Sequence, residues 1–168
     1  MKVTFMRHAE SAYNKTRTFQ GQRDIPLSQD GVAAARALGE NYEYTDFDVC
    51  ICSPLKRARK TADYVTCGMV KIVEDPRISE IALGELEGTP VTEEALSRLS
   101  DLDYLPAGGE SKRMLDVRVR SFLDSLKKEY KGKVVLVVTH AGVISSVKRV
   151  LGLPAGRTPN LGVIEIDI

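Results

Sequence analysis

The run Val134-Val135-Leu136-Val137-Val138 constrains the fold more than any other stretch of this chain. Its residues are apolar and mostly β-branched, with no polar side left for water. Such a segment fits a strand covered on both faces. A second apolar strand, about Lys2 to Met6, opens the sequence, and Asp48 to Cys52 and Val70 to Val73 read as two more. Between them lie helical patterns. Ser28 is a good N-cap with Asp30 in the first turn, followed by Val32, Ala35, Leu38 and Tyr42 at helical spacing. Ser53-Pro54 predicts a cap and first helical residue, with Leu55, Ala58, Ala62 and Val65 on one face. Glu110 to Tyr130 is the longest helix, its buried stripe Leu115, Val119, Phe122 and Leu126, with Gly132 past its end. Gly142 to Leu151 is a helix stopped by Gly152 and Pro154, and Gly162 to Ile168 alternates as an edge or last strand. The segment Glu10 to Arg17 is a short helix or turn, Thr18 to Leu27 a loop, and Ile78 to Pro90 a loop rich in Gly and Glu. Strands alternating with helices imply a mainly parallel α/β sheet flanked by helices on both faces, and 168 residues suit a single domain.

Composition narrows the function. The formal net charge of +1 leaves no general footprint for nucleic acid. No apolar run is long enough to cross a bilayer. The three cysteines are Cys50, Cys52 and Cys67; the odd number and the lack of a secretory signal point to a reduced compartment, the cytoplasm. Cys50 and Cys52 share one face of a strand, and no second pair completes a zinc site, so they are expected as core thiols. In Lys56-Arg57-Arg59-Lys60 the expectation is a solvated helix face with one residue turned inward.

The chain has two histidines, His8 and His140, and each follows one of its two most apolar strands. If those strands are neighbours, both imidazoles face one crevice. Three chemistries use such a pair. A metal site fits poorly, because the Arg7 guanidinium beside His8 repels a cation. A relay to serine or cysteine lacks a nucleophile-elbow motif. Phosphoryl transfer needs a neutral histidine nucleophile, a cationic clamp and a proton donor, for which Arg7, Arg57, His140 and a loop glutamate are available.

The motifs run in order along the whole chain. They are Arg7-His8-Ala9-Glu10-Ser11, Asn14, Gln20-Gly21, Asp24-Ile25-Pro26-Leu27-Ser28, Ser53-Pro54-Leu55-Lys56-Arg57-Ala58, Glu80 to Gly88, Gly108-Gly109-Glu110-Ser111 and Thr139-His140-Ala141-Gly142. In this set the sequence resembles the histidine phosphatase superfamily, also called phosphoglycerate-mutase-like. The resemblance implies that His8 becomes phosphohistidine and that Arg7, Arg57 and His140 hold the phosphoryl group. Asn14, Gln20, Gly21 and the Ala141 amide are then further phosphate contacts. It implies that Glu80 protonates the leaving oxygen, with Glu85 and Glu87 as rivals, Glu87 being better suited to holding the loop. No metal or organic cofactor is implied. The partners implied are a small phosphomonoester and phosphate, with no membrane or nucleic acid; a homodimer stays open.

Two departures bear on the activity. The cap insertion, about residues 89–107, is short, where the mutase branch carries larger insertions that keep water off phosphohistidine. An open site favours hydrolysis. Leu86 stands where the family commonly has tryptophan. The expected activity is therefore a metal-independent, acid-type phosphatase on a small metabolite, of broad-specificity, α-ribazole-phosphate or sugar-phosphate type. Protein phosphohistidine phosphatase, phosphoglycerate mutase and a non-catalytic phosphate-binding module are the alternatives. Substrate selection is expected from residues 17–23, 89–107 and 157–160, where Arg17, Arg23 and Arg157 are candidates for a second anion.

Overall fold

The computed structural model describes residues 1–168. Five strands form one sheet: β1 (Lys2–Arg7), β2 (Val49–Cys52), β3 (Ile72–Glu74), β4 (Val135–Thr139) and β5 (Val163–Asp167). Their order is β3-β2-β4-β1-β5. The first four are parallel, and β5 closes one edge antiparallel to β1. The helices are α1 (Ala12–Lys15), α2 (Gln29–Glu40), α3 (Lys56–Val65), α4 (Glu93–Ser100), α5 (Lys112–Glu129) and α6 (Ala141–Val150).

Successive strand residues point to opposite faces. Val3, Phe5, Val135 and Val137 pack with Val119 and Phe122 of α5 and with Ile144 and Val147 of α6. Met6, Cys50, Cys52, Leu136 and Val138 pack on the other face with Ala58, Ala62 and Val65 of α3. Every residue of β4 is buried, so its sequence has no polar alternation. This sandwich positions the site. The chain leaving β1 goes to α2, which packs against α3 on one face, and the chain leaving β4 goes to α6 on the other. The two connections part at adjacent carboxyl ends, which opens a crevice there.

Several boundaries differ from the sequence expectation. The helix after β2 begins at Lys56 with Leu55 as N-cap, so Pro54 is not its first residue. The Ser53 hydroxyl reaches His140 and, at the helix end, accepts only the N–H of the cap residue Leu55. Tyr42 lies beyond the end of α2 and is 60% exposed, so it is not part of the buried stripe. The third strand begins two residues later than expected and ends one later, because its ladder pairs Ile72 to Glu74 with Cys50 to Cys52. Glu110 precedes α5, whose cap is Ser111. The polar segment after His8 forms only one helical turn, closed by a Ser11–Asn14 capping box. The basic run resolves as expected: Arg57 is fully buried, whereas Lys56 and Lys60 are exposed.

Candidate active site

Strands β1 and β4 pair in register with Arg7 opposite Thr139. The His8 N–H donates to the Thr139 carbonyl at 2.9 Å, so the next residues, His8 and His140, are neighbours. Their ring centroids are 5.2 Å apart and tilted by 59°. Both rings are buried.

Hydrogen bonding sets both tautomers. His8 Nδ1 lies 2.6 Å from the Ala9 carbonyl oxygen. A carbonyl only accepts, so Nδ1 carries the proton and Nε2 keeps its lone pair. Burial, and then the Arg57 and Arg7 charges, hold His8 well below the usual histidine range, and it is neutral at pH 7. His140 is also pushed well below that range, by burial and then by Arg57. Its Nε2 is 2.8 Å from Ser53 Oγ. That hydroxyl accepts the Leu55 N–H and has no other acceptor for its own proton. It therefore donates to Nε2, and the His140 ring proton sits on Nδ1.

The arginines are held by neutral carbonyls. Arg7 Nη1 donates to Thr158 O at 2.9 Å. Arg57 donates from Nη1 to Arg23 O at 2.8 Å and from Nη2 to Gly21 O at 2.7 Å. Gly21 has φ +52°, and a Cβ there would fall 2.0 Å from Glu87 Oε1. Neither arginine is in an ion pair, so both charges stay uncompensated by a hydrogen-bonded carboxylate. Three buried side-chain nitrogens in the whole chain lack a partner: Arg7 Nε, Arg57 Nε and His140 Nδ1. An unsatisfied buried donor costs about 1–3 kcal/mol. Three of them beside one neutral imidazole can receive a tetrahedral oxyanion.

Glu80 lies across this cup, on the loop after β3. Its Oε1 accepts the Ile81 N–H at 2.9 Å and its Oε2 accepts the Gly142 N–H at 3.3 Å. It is the largest charge opposing desolvation at both Arg7 and Arg57. Glu85 is exposed. Glu87 ties two loops together, accepting from Gln22 N and Leu83 N. Arg7, Gln20, Gly21, Glu80 and Ala141 line one cleft of about 360 Å³. Ala141 opens α6, where the first N–H groups have no partner within the helix. Asn14 lines an adjoining cleft instead. Its Oδ1 accepts from Ser11 N and from Asn160 Nδ2, which also donates to His8 O at 2.9 Å. No group of three or more His, Cys, Asp and Glu side chains is placed to hold a metal ion. No helix is long and apolar enough to cross a membrane.

A family model for the histidine phosphatase superfamily (branch 1) matches residues 3–166. The chain belongs to this superfamily. A Photorhabdus laumondii protein named "Probable phosphoglycerate mutase GpmB" is 34% identical over 166 residues, covering 92% of this chain and 77% of its own. An Arabidopsis thaliana metal-independent phosphoserine phosphatase is 32% identical over 159 residues, covering 87% of this chain and 66% of its own. Among solved structures, a mycobacterial glucosyl-3-phosphoglycerate phosphatase in complex with VO3 superposes with a TM-score of 0.86 at 25% identity. It covers 99% of this chain and 92% of that one.

In this member of the superfamily the support around the cup was not visible in the sequence. Arg118 of α5 donates to both Glu110 oxygens, at 3.0 and 2.7 Å, and to the Glu80 carbonyl at 3.0 Å. Glu110 also accepts the Ala82 N–H at 2.9 Å, while its own N–H donates to Ala82 O. One ion pair thus grips the irregular loop at Glu80 and at Ala82. Gly108-Gly109-Glu110-Ser111 was a legible motif, but nothing in it named Arg118 as the partner. The sequence marks residues 157–160 for substrate selection, but the contacts of Thr158 with Arg7 and of Asn160 with the His8 carbonyl appear only once the loop before β5 folds over the end of β1.

Proposed function

We propose that this histidine phosphatase hydrolyses phosphomonoesters of small metabolites through a phosphohistidine on His8. The carrying observation is the set of three unpartnered buried donors, on Arg7, Arg57 and His140, around a neutral imidazole. A phosphoryl group supplies acceptors for all three. In the first step the His8 Nε2 lone pair attacks phosphorus and the P–O ester bond breaks. Glu80, protonated, gives its proton to the leaving alcohol oxygen. In the second step the Glu80 carboxylate takes a proton from water as that oxygen attacks phosphorus. The P–N bond breaks, its electron pair returns to Nε2, and phosphate leaves. The Nδ1–H bond to Ala9 O holds the ring in the tautomer that both steps need. Neither step draws on a metal ion or organic cofactor. Because burial and two arginines keep His8 unprotonated, attack persists into acid pH.

Hydrolysis is favoured over transfer by the thinness of the cap. Helix α4, the one regular element of residues 89–107, has no buried residue, and Leu96 and Leu99 are the only cap residues on the cleft wall. The phosphatase names of the Arabidopsis and mycobacterial relatives agree with this. The mutase name of the Photorhabdus relative supports a second reading, transfer between hydroxyls of a phosphoglycerate. The test is phosphate release from an aryl phosphate, with His8→Ala as control, and quenching in alkaline denaturant to trap a base-stable, acid-labile phosphoenzyme. Turnover equal to the control refutes the hydrolase; isomer without free phosphate from a phosphoglycerate selects the mutase.

A further inference from the structure

The cleft wall carries two cations that phosphoryl chemistry leaves unused. Lys112 is the first residue of α5, half-buried, and lines the cleft with Arg7 and Glu80. Its natural ion-pair partner is Asp116, one turn further along the helix. Asp116 is already taken. Its Oδ1 accepts from Arg149 Nη2 at 2.6 Å and from Ser146 Oγ at 2.5 Å, and its Oδ2 accepts from Arg149 Nε at 3.1 Å. Lys112 itself makes no ion pair or hydrogen bond, and burial and the Arg149 charge lower its pKa. Arg157 lines the same cleft, also unpaired, and adds positive potential at Arg7. Arg7 and Arg57 suffice to match a phosphoryl dianion. Against Glu80 alone, Lys112 and Arg157 then remain in excess. The rest of the wall includes Phe19, Ile81, Leu83, Leu96 and Leu99, which offer an anion nothing but apolar surface.

We propose that Lys112, with Arg157 beside the cup, forms a second anion subsite. The substrates are then phosphomonoesters whose alcohol carries another anionic group, a carboxylate or a second phosphate. This rests on the hydrolase reading and specifies its substrate class. The cleft volume, about 360 Å³, is at the low end for small-ligand sites, which bounds the alcohol to a compact one. The bland alternative is that the Lys112 stem merely covers apolar wall while its ammonium reaches water.

Matched substrates separate the two. O-phosphoserine and O-phosphoethanolamine differ by one carboxylate; propane-1,3-diol bisphosphate and propyl phosphate differ by one phosphate. The expected result is a higher kcat/KM for the anionic member of at least one pair, and which pair responds identifies the anion. In Lys112→Met, which keeps the stem, that preference falls by about tenfold to a hundredfold, the range of one charge-assisted hydrogen bond. Lys112→Arg retains most of it. An unchanged ratio in Lys112→Met, or equal loss on both members of the pair, overturns the subsite. If the wild-type chain releases phosphate from neither ester nor from an aryl phosphate, the hydrolase reading fails separately. Calorimetric titration with the same pairs then decides the subsite: a Kd preference lost in Lys112→Met supports it, and equal Kd values in both proteins overturn it.

Discussion

Replacing Glu80 by Gln tests the proton-transfer role with little change in shape. The amide oxygen can keep the Ile81 N–H bond, 2.9 Å long with the carboxylate. The amide nitrogen then faces the Gly142 N–H, 3.3 Å from the present Oε2, and two donors oppose each other. That lost hydrogen bond costs about 1 kcal/mol, a loss of roughly fivefold shared by all substrates. The missing proton acts selectively. An alkoxide leaving group needs it in the transition state, and general acids contribute about 10²–10⁴-fold. A nitrophenolate leaves with little help. The assay is kcat/KM for an alkyl and an aryl phosphate, because this parameter reports the first irreversible step, the phosphorylation of His8. Turnover number is a poorer guide, since Glu80 also serves as base in the second step, which is common to both substrates. The alkyl ester should lose at least about tenfold more than the aryl ester. Equal loss in kcat/KM refutes Glu80 as the proton donor and returns attention to Glu87.

Three further outcomes follow from the same geometry. Arg118→Ala leaves Glu110 unpaired and the Glu80 loop ungripped; we expect a stability loss of about 1–3 kcal/mol in denaturant melts and a larger fall in kcat/KM on alkyl than on aryl esters, whereas equal falls would mean the clamp does not position Glu80. Both histidines are held below 6.5 in the folded chain, so the unfolded chain binds more protons. Their contribution is present above pH 6.5 and is lost as pH falls below it, with a slope approaching about 2.7 kcal/mol per pH unit for the pair; melts at pH 7, 6 and 5 should show the decline, His140→Gln should reduce its slope, and a flat profile contradicts neutral buried rings. Burial pushes the Cys50 thiol up strongly and the Cys52 thiol up to about 12, while Cys67 is exposed. A disulfide reagent at pH 8 should therefore modify Cys67 alone in the folded protein and all three thiols after unfolding, and fast reaction of more than one thiol in the folded state argues against the packing of β2.

The sequence by itself determined the layers of this protein. Val135 to Val138 are satisfied with apolar cover on both faces, and Leu115, Val119, Phe122 and Leu126 are spaced to supply part of it; all four are buried as read, whereas Val134 lies before the strand and is exposed. It also placed His8 and His140 at strand ends, because polar residues that abruptly follow such runs mark where burial by the sheet stops. Those are local properties, set by period and side-chain type. The tertiary structure decided which polar groups remain unpartnered. Ser53 looked like a helix cap and became the donor that locks the His140 tautomer, because the β2–β4 pairing brings it within 2.8 Å of that ring. Arg118 and Lys112 lie six residues apart on one helix, yet one is saturated by Glu110 and backbone carbonyls and the other is left free because Arg149 occupies Asp116. Such assignments depend on competition among groups far apart in sequence for the same oxygens, and no local pattern encodes who wins.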